Sequence, residues 1–177
     1  MKIAAQDAQR PRHLRAAETA ILFTVSRQLF AIAADTVQEI RSTDSIAGSA
    51  SEFACPEVPK VSHTFERARR QYYVVSGCAH FGLRVSRPTL VLILRQLRVA
   101  VLVDRIDRMT ELHGIFDLPL AFGGNERRWY RGLTYLDDHV IPVVNPRGFL
   151  TAEEFHRIEG VPQAAEVTHQ VEGAASQ

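Results

Sequence analysis

Short apolar blocks broken by polar turns run through the middle of the chain, and their spacing predicts strands rather than helices. Ile21-Leu22-Phe23-Thr24-Val25 is β-branched and aromatic, Ser26-Arg27-Gln28 supplies a turn, and Leu29 to Ile32 returns, which predicts a hairpin. His63 to Arg67 and Gln71 to Val75 predict a second hairpin around the basic turn Ala68-Arg69-Arg70. Trp129 to Leu136 and Val140 to Val144 predict a third about Asp137-Asp138. Thr89 to Leu94 and Val99 to Val103 are apolar at consecutive positions, which a strand tolerates only when both faces are covered, so they are expected to form a buried spine. Arg105 to Glu111 continues as a strand or short helix. Pro142 cannot donate to a ladder, which places its strand at an edge or at a bulge.

Helical signals are few and short. Asp35 with Gln38 fits a capping box and predicts a helix of a turn or two, with Val37 and Ile40 facing inward. Ser76 can cap another that Gly82 ends, Asn145-Pro146 places a proline at a first helical position, and Thr151 with Glu154 forms a capping box ahead of Phe155 and Ile158. That last helix ends near Gly160. Thr43 to Pro59 is a long Ser/Ala/Gly/Pro loop, and Leu118 to Asn125 is a second loop. Residues 1–18 lack periodicity and are expected to be a flexible arm, and 160–177 a disordered tail, which leaves a folded domain over 19–159.

The same order of events occurs twice. Arg27-Gln28-Leu29, then Phe30 to Ala34, Asp35, Val37 and Ile40, is matched by Arg95-Gln96-Leu97, then Val99 to Val103, Asp104, Ile106 and Met109. Tyr73-Val74-Val75-Ser76 ahead of Phe81 and Leu83 is matched by Pro142-Val143-Val144-Asn145 ahead of Phe149 and Leu150. A duplicated unit implies two similar small cores side by side. Two repeats are too few for a solenoid. Many short strands with few helices then point to a mainly β protein built as small barrels or a sandwich.

Composition narrows the function classes. The chain has 177 residues, is 46% hydrophobic, and balances 21 basic against 20 acidic side chains for a net charge of +1. It can bury a core, but it has no one-signed field to hold a nucleic acid or an anionic membrane surface. Apolar runs such as Leu90 to Leu94 and Val99 to Val103 are far short of a bilayer span, and Asp7, Glu18 and several arginines interrupt the N-terminal stretch. A cytoplasmic location and no membrane insertion are therefore expected.

No common catalytic constellation is present: there is no Gly-rich phosphate loop, no His-Glu-x-x-His and no nucleophile elbow. Cys55 and Cys78 make no Cys-x-x-Cys pair. His63, His80 and His113 with Cys78 are the tightest metal candidates, but they fall in separate elements at irregular spacing, and no cofactor or metal is expected. Asp137-Asp138 suits a hairpin tip, and Glu153-Glu154 a helix N-terminus. The arginine-rich charge cluster Glu66-Arg67-Ala68-Arg69-Arg70 is either a solvated tip or a surface that pairs with carboxylates of a protein partner.

The order of elements resembles the CheW-like family of chemotaxis coupling proteins. The resemblance is carried by Ile21 to Ile32, Val37-Gln38-Glu39-Ile40-Arg41, Val99 to Asp107 with Leu102-Val103-Asp104, and Tyr130-Arg131-Gly132-Leu133 through to Val140-Ile141-Pro142-Val143-Val144-Asn145, covering most of residues 18–158. It implies two intertwined SH3-like five-stranded β-barrels with short helices and a C-terminal helix. It also implies a non-enzymatic cytoplasmic adaptor joining chemoreceptor cytoplasmic tips to the regulatory domain of a sensor histidine kinase. Val37 and Glu39 match the family's receptor-contact region, and Arg67, Arg69 and Arg70 join them as candidate contact residues. Where the family shows an Arg-Gly turn into a Pro-containing strand, this chain has Ala68-Arg69 leading into Tyr72-Tyr73. A diverged adaptor for surface motility or another signalling pathway is the alternative from the same class. A small β-barrel ligand binder or metal enzyme using the histidines is the alternative from another class.

Overall fold

The computed structural model describes residues 17–160, so the expected arm and tail lie almost wholly outside the described residues. The protein is mainly β, in two sheets. Sheet I contains β1 (Glu18–Val25), β2 (Gln28–Ala33), β9 (Arg105–Leu112), β10 (Tyr130–Leu136) and β11 (His139–Val144), in the order β10-β11-β2-β1-β9. Sheet II contains β3 (Val37–Ser42), β4 (Ala50–Glu52), β5 (Val61–Arg67), β6 (Arg70–Ser76), β7 (Leu90–Leu94) and β8 (Val99–Val103), in the order β3-β7-β8-β6-β5-β4. Four short helices join them: α1 (Asp44–Ala47), α2 (Gly77–His80), α3 (Glu126–Trp129) and α4 (Ala152–Glu159).

The two sheets are the same construction with one strand exchanged. After the β1–β2 hairpin in sheet I the chain crosses to sheet II for β3, and after the β7–β8 hairpin in sheet II it crosses back to sheet I for β9. The register repeats as well. Val143 pairs with Ala31 between parallel β11 and β2, and Val74 pairs with Ala100 between parallel β6 and β8, each member displaced by 69 positions. Even the irregularities recur. A register shift at Tyr130/Gly132 in β10 is matched at Val61/His63 in β5, and one at Leu22/Phe23 facing β9 is matched at Val37/Glu39 facing β7.

Three hairpins turn on two residues in left-handed backbone: Ser26-Arg27 (φ 50 and 68), Ala68-Arg69 (φ 50 and 60) and Asp137-Asp138 (φ 48 and 62). Such turns match the right-handed twist of the flanking strands. Alternation then sorts the side chains. Ala20, Leu22, Ala31, Ile141 and Val143 fill a core belonging to sheet I, and their counterparts Val91, Ile93, Ala100, Tyr72 and Val74 fill one belonging to sheet II. The intervening positions, among them Phe23, Phe30, Tyr73, Leu92, Leu94 and Val101, meet in a larger core shared by both sheets. The expected twin cores are present with a third between them. Both faces of β7 and β8 are covered, as their unbroken apolar runs required.

Local expectations hold at Ser76, whose Oγ accepts from Ala79 N at 3.3 Å, and at Asn145, whose Oδ1 accepts from Arg147 N at 3.3 Å. They hold also at the reciprocal Thr151–Glu154 capping box of α4. Others fail. Asp35 sits in a single 3-10 turn, Ala34–Thr36, and Val37 begins a strand rather than a helix: ladder pairing of β3 with β7 outweighs the local cap, leaving Val37 buried and Ile40 40% exposed. Pro142 lies in an internal strand, between β10 and β2. Its missing amide is tolerated because β11 meets β2 at the single register pair Val143–Ala31, and the bulge lies instead at Tyr130/Gly132. Arg105 to Glu111 is strand, and the long loop after Thr43 encloses α1 and β4.

Candidate partner-contact site

β3 is the first strand of sheet II and β5 the fifth, yet their side chains meet, so the sheet curls until its ends approach. Glu39 of β3 places Oε2 2.5 Å from Arg67 Nη2 of β5, while its Oε1 lies 3.6 Å from Arg41 Nε. Glu39 Oε2 is shielded from solvent and meets the Arg67 guanidinium as a charge contact, without hydrogen-bond alignment. The three side chains are about one-third exposed, and pairs of that exposure stabilise a fold by about 0–1 kcal/mol each. The cluster therefore fixes where charge is presented far more than it holds the protein together.

Arg69 and Arg70 continue this surface at the tip of the β5–β6 hairpin. Both are exposed, and neither pairs with another described residue. The structure thus brings four of the five candidate residues onto one seam: Glu39, Arg67, Arg69 and Arg70. Val37 is separated from them in kind, since it is 7% exposed and packs in the shared core. It anchors the start of β3 and offers no surface of its own. Arg41, which the sequence reading left out, belongs to the cluster; its place two residues beyond Glu39 on one strand face was the available signal.

Sheet I has the same seam with the charges exchanged. Arg108, 69 positions after Glu39, contacts Asp137 at the β10–β11 tip and lies 3.2 Å from Asp107. Asp138 stands at the place of Arg69, with nearly the same φ of 62 against 60.

His63, His80 and His113 form no metal-binding group with Cys78. Among the described residues no group of three or more His, Cys, Asp or Glu side chains is placed to hold a metal ion. His63 contacts Ser62 Oγ at 2.9 Å, and His113 is exposed. His80 is 2% exposed at the end of α2, its ring 4.8 Å from those of Phe81, Trp129 and Phe149 and its nitrogens without hydrogen-bond partners. Burial, reinforced by the Lys60 charge, lowers its pKa to about 3 and keeps it neutral. Nearby Tyr130 is pushed up to about 12 by burial and by Glu126. Cys55 and Cys78 are buried free thiols.

A family model described as CheW-like domain matches residues 19–154. Among solved structures, the crystal structure of the scaffolding protein TtCheW from Thermoanaerobacter tengcongensis aligns with 78% of this chain and 96% of its own, at TM-score 0.64 and 13% identity. At that identity the likeness concerns the fold. No curated protein matches the chain in sequence.

Proposed function

This chain belongs to the CheW-like family, whose members are scaffolds and adaptors rather than enzymes, and on that premise we propose that it joins a chemoreceptor cytoplasmic tip to the regulatory domain of a sensor histidine kinase. The observation that carries the proposal is the seam of sheet II. There a single carboxylate, Glu39, is held between Arg41 and Arg67, with Arg69 and Arg70, which pair with no other described residue, at the tip of the hairpin that carries Arg67. Such a seam gives a partner a fixed pattern of charge, and pre-set polar groups confer orientation and specificity more than raw affinity. Val37, in the core beneath, sets the height of the strand that carries Glu39. No helix among the described residues is long and apolar enough to cross a membrane. The proposed place of work is the cytoplasm, with the membrane reached only through the receptor.

Co-sedimentation of the full chain with receptor cytoplasmic fragments and kinase tests this reading. The expected result is a ternary pellet that Arg69→Glu with Arg70→Glu reduces; a chain that never enters the pellet at micromolar concentration removes it. The dipeptide Ala68-Arg69, standing where the family shows an Arg-Gly turn, favours a second reading, in which the chain serves another pathway such as surface motility. Replacing that dipeptide by Arg-Gly separates the two: receptor binding that appears only after the exchange selects the diverged adaptor.

A further inference from the structure

A second charged surface lies away from the Glu39 seam, where the chain crosses from β8 to β9. Asp104 at that crossing accepts a hydrogen bond from Ser26 N at 2.7 Å and one from Ser86 Oγ at 2.5 Å. These bonds draw together the β1–β2 turn, the crossing itself and the loop between α2 and β7. Each brings arginine with it: Arg27 follows Ser26, Arg105 follows Asp104, and Arg84 and Arg87 flank Ser86. All four are exposed, and none forms an ion pair with another described residue. Asp104 sets one negative charge against the four arginines, so the rim keeps an excess of positive charge. The matching crossing from β2 to β3 has Thr36 where this one has Arg105.

An apolar hollow adjoins the loop that carries Arg84 and Arg87. A cavity of about 130 Å³ opens between α2 and the same loop, lined by Cys78, Leu83, Val85, Pro88 and Leu102 among others. Apolar cavities of about that size admit a small aromatic or aliphatic group. Val85, between Arg84 and Ser86, is 94% exposed and belongs to the lining of the hollow.

We propose that this arginine rim and the adjoining hollow form a docking surface for an acidic protein segment carrying one aliphatic side chain. The carboxylates pair with Arg27, Arg84, Arg87 and Arg105, and the aliphatic group enters the hollow against Val85 and Leu83. A free phosphate has no use for the hollow. A nucleic acid or an anionic bilayer calls for an extended field, which a chain of net charge +1 does not project.

Fluorescence anisotropy on the full chain tests the proposal with a fluorescein-labelled glutamate-rich peptide containing one leucine. The expected result is saturable binding that Arg84→Glu with Arg87→Glu weakens about tenfold or more, and that either Val85→Ser or exchange of the peptide leucine for serine weakens several-fold. Arg69→Glu with Arg70→Glu leaves it unchanged, which separates this surface from the proposed receptor seam. Three results overturn the proposal: equal affinity of the chain and its Arg84/Arg87 variant, indifference to the leucine, or tighter binding through the same arginines to phosphatidylserine vesicles or a single-stranded oligonucleotide. The substituted positions are exposed on a loop, and thermal melts of each variant confirm that the fold is retained.

Discussion

Sheet II carries a glutamate on its exchanged strand and arginines on its hairpin, whereas sheet I carries an arginine on the matching strand and aspartates on the matching hairpin. Backbone pairing and bulges coincide between the two at a 69-residue displacement everywhere except β1 and β7, which stand 71 apart. The left-handed turns Ala68-Arg69 and Asp137-Asp138 coincide as well, but the side chains at the seam do not. Ladder hydrogen bonds and turn handedness depend on backbone geometry, so any departure disturbs a whole sheet. An exposed ion pair of either polarity spans the curled ends equally well and contributes little to stability. The seam is therefore free to differ, and two sheets of one construction offer partners opposite charge.

The comparison breaks most severely where the sheets use different residues at the same bulge. Gly132 is bulged in β10 and His63 is its counterpart in β5. A Cβ at position 132 would stand 2.4 Å from Phe116 O and 2.5 Å from Ile115 Cγ2, because the Phe116–Leu133 bridge covers it. Gly132→Val is expected to destabilise by about 3 kcal/mol or more, and His63→Val by no more than about 1 kcal/mol, in urea unfolding. Similar losses at the two sites would show that the bulges are equivalent in packing as well as register.

A second contrast concerns the ends of the sheets, where α2 carries the buried His80 and the matching position after β11 carries the buried Phe149. The folded pKa of His80 is about 3 against 6.5 unfolded. Between those values the unfolded chain binds the extra proton, so stability is full above pH 6.5 and falls with acidification, by about 1.4 kcal/mol per pH unit. By pH 5 the expected loss is about 2 kcal/mol. His80→Leu removes that part of the slope in denaturant titrations at pH 7 and pH 5; an unchanged slope would mean that the ring is protonated or solvated in the fold.

Much of this architecture was legible in the chain itself, because apolar alternation and turn residues act locally. The hairpins at residues 21–32, 63–75 and 129–144, the repeat, and the caps at Ser76, Asn145 and Thr151 all rest on neighbours in sequence. Asp35 to Ile40 was misread because the same residues satisfy a capping box and an edge strand, and the partner that decides between them, β7, lies far along the chain. Of the candidate site, Glu39 and the arginine turn were legible as charge. Their meeting across the curl was not, and neither was the burial of Val37, since both depend on how sheet II bends.

α4 sharpens the comparison from another side, since it packs only after the second half-repeat, laying Phe155 and Ile158 against the shared core with Phe155 5.9 Å from Tyr73. Its first turn depends on the capping box. Thr151→Ala is expected to destabilise by about 1 kcal/mol in thermal or urea melts. A loss near zero would mean that packing alone fixes the helix.

The smallest expected effect on stability bears most on function. Glu39→Arg combined with Arg67→Asp gives sheet II the polarity of sheet I while keeping a pair across the seam. Because both groups are about one-third exposed, stability is expected to change by less than about 0.5 kcal/mol. Entry into the receptor–kinase pellet is expected to fall, since a partner matched to one pattern of charge meets its reverse. If the reversed seam co-sediments as well as the original, the polarity of sheet II carries no recognition, and the proposed contact lies elsewhere on the fold.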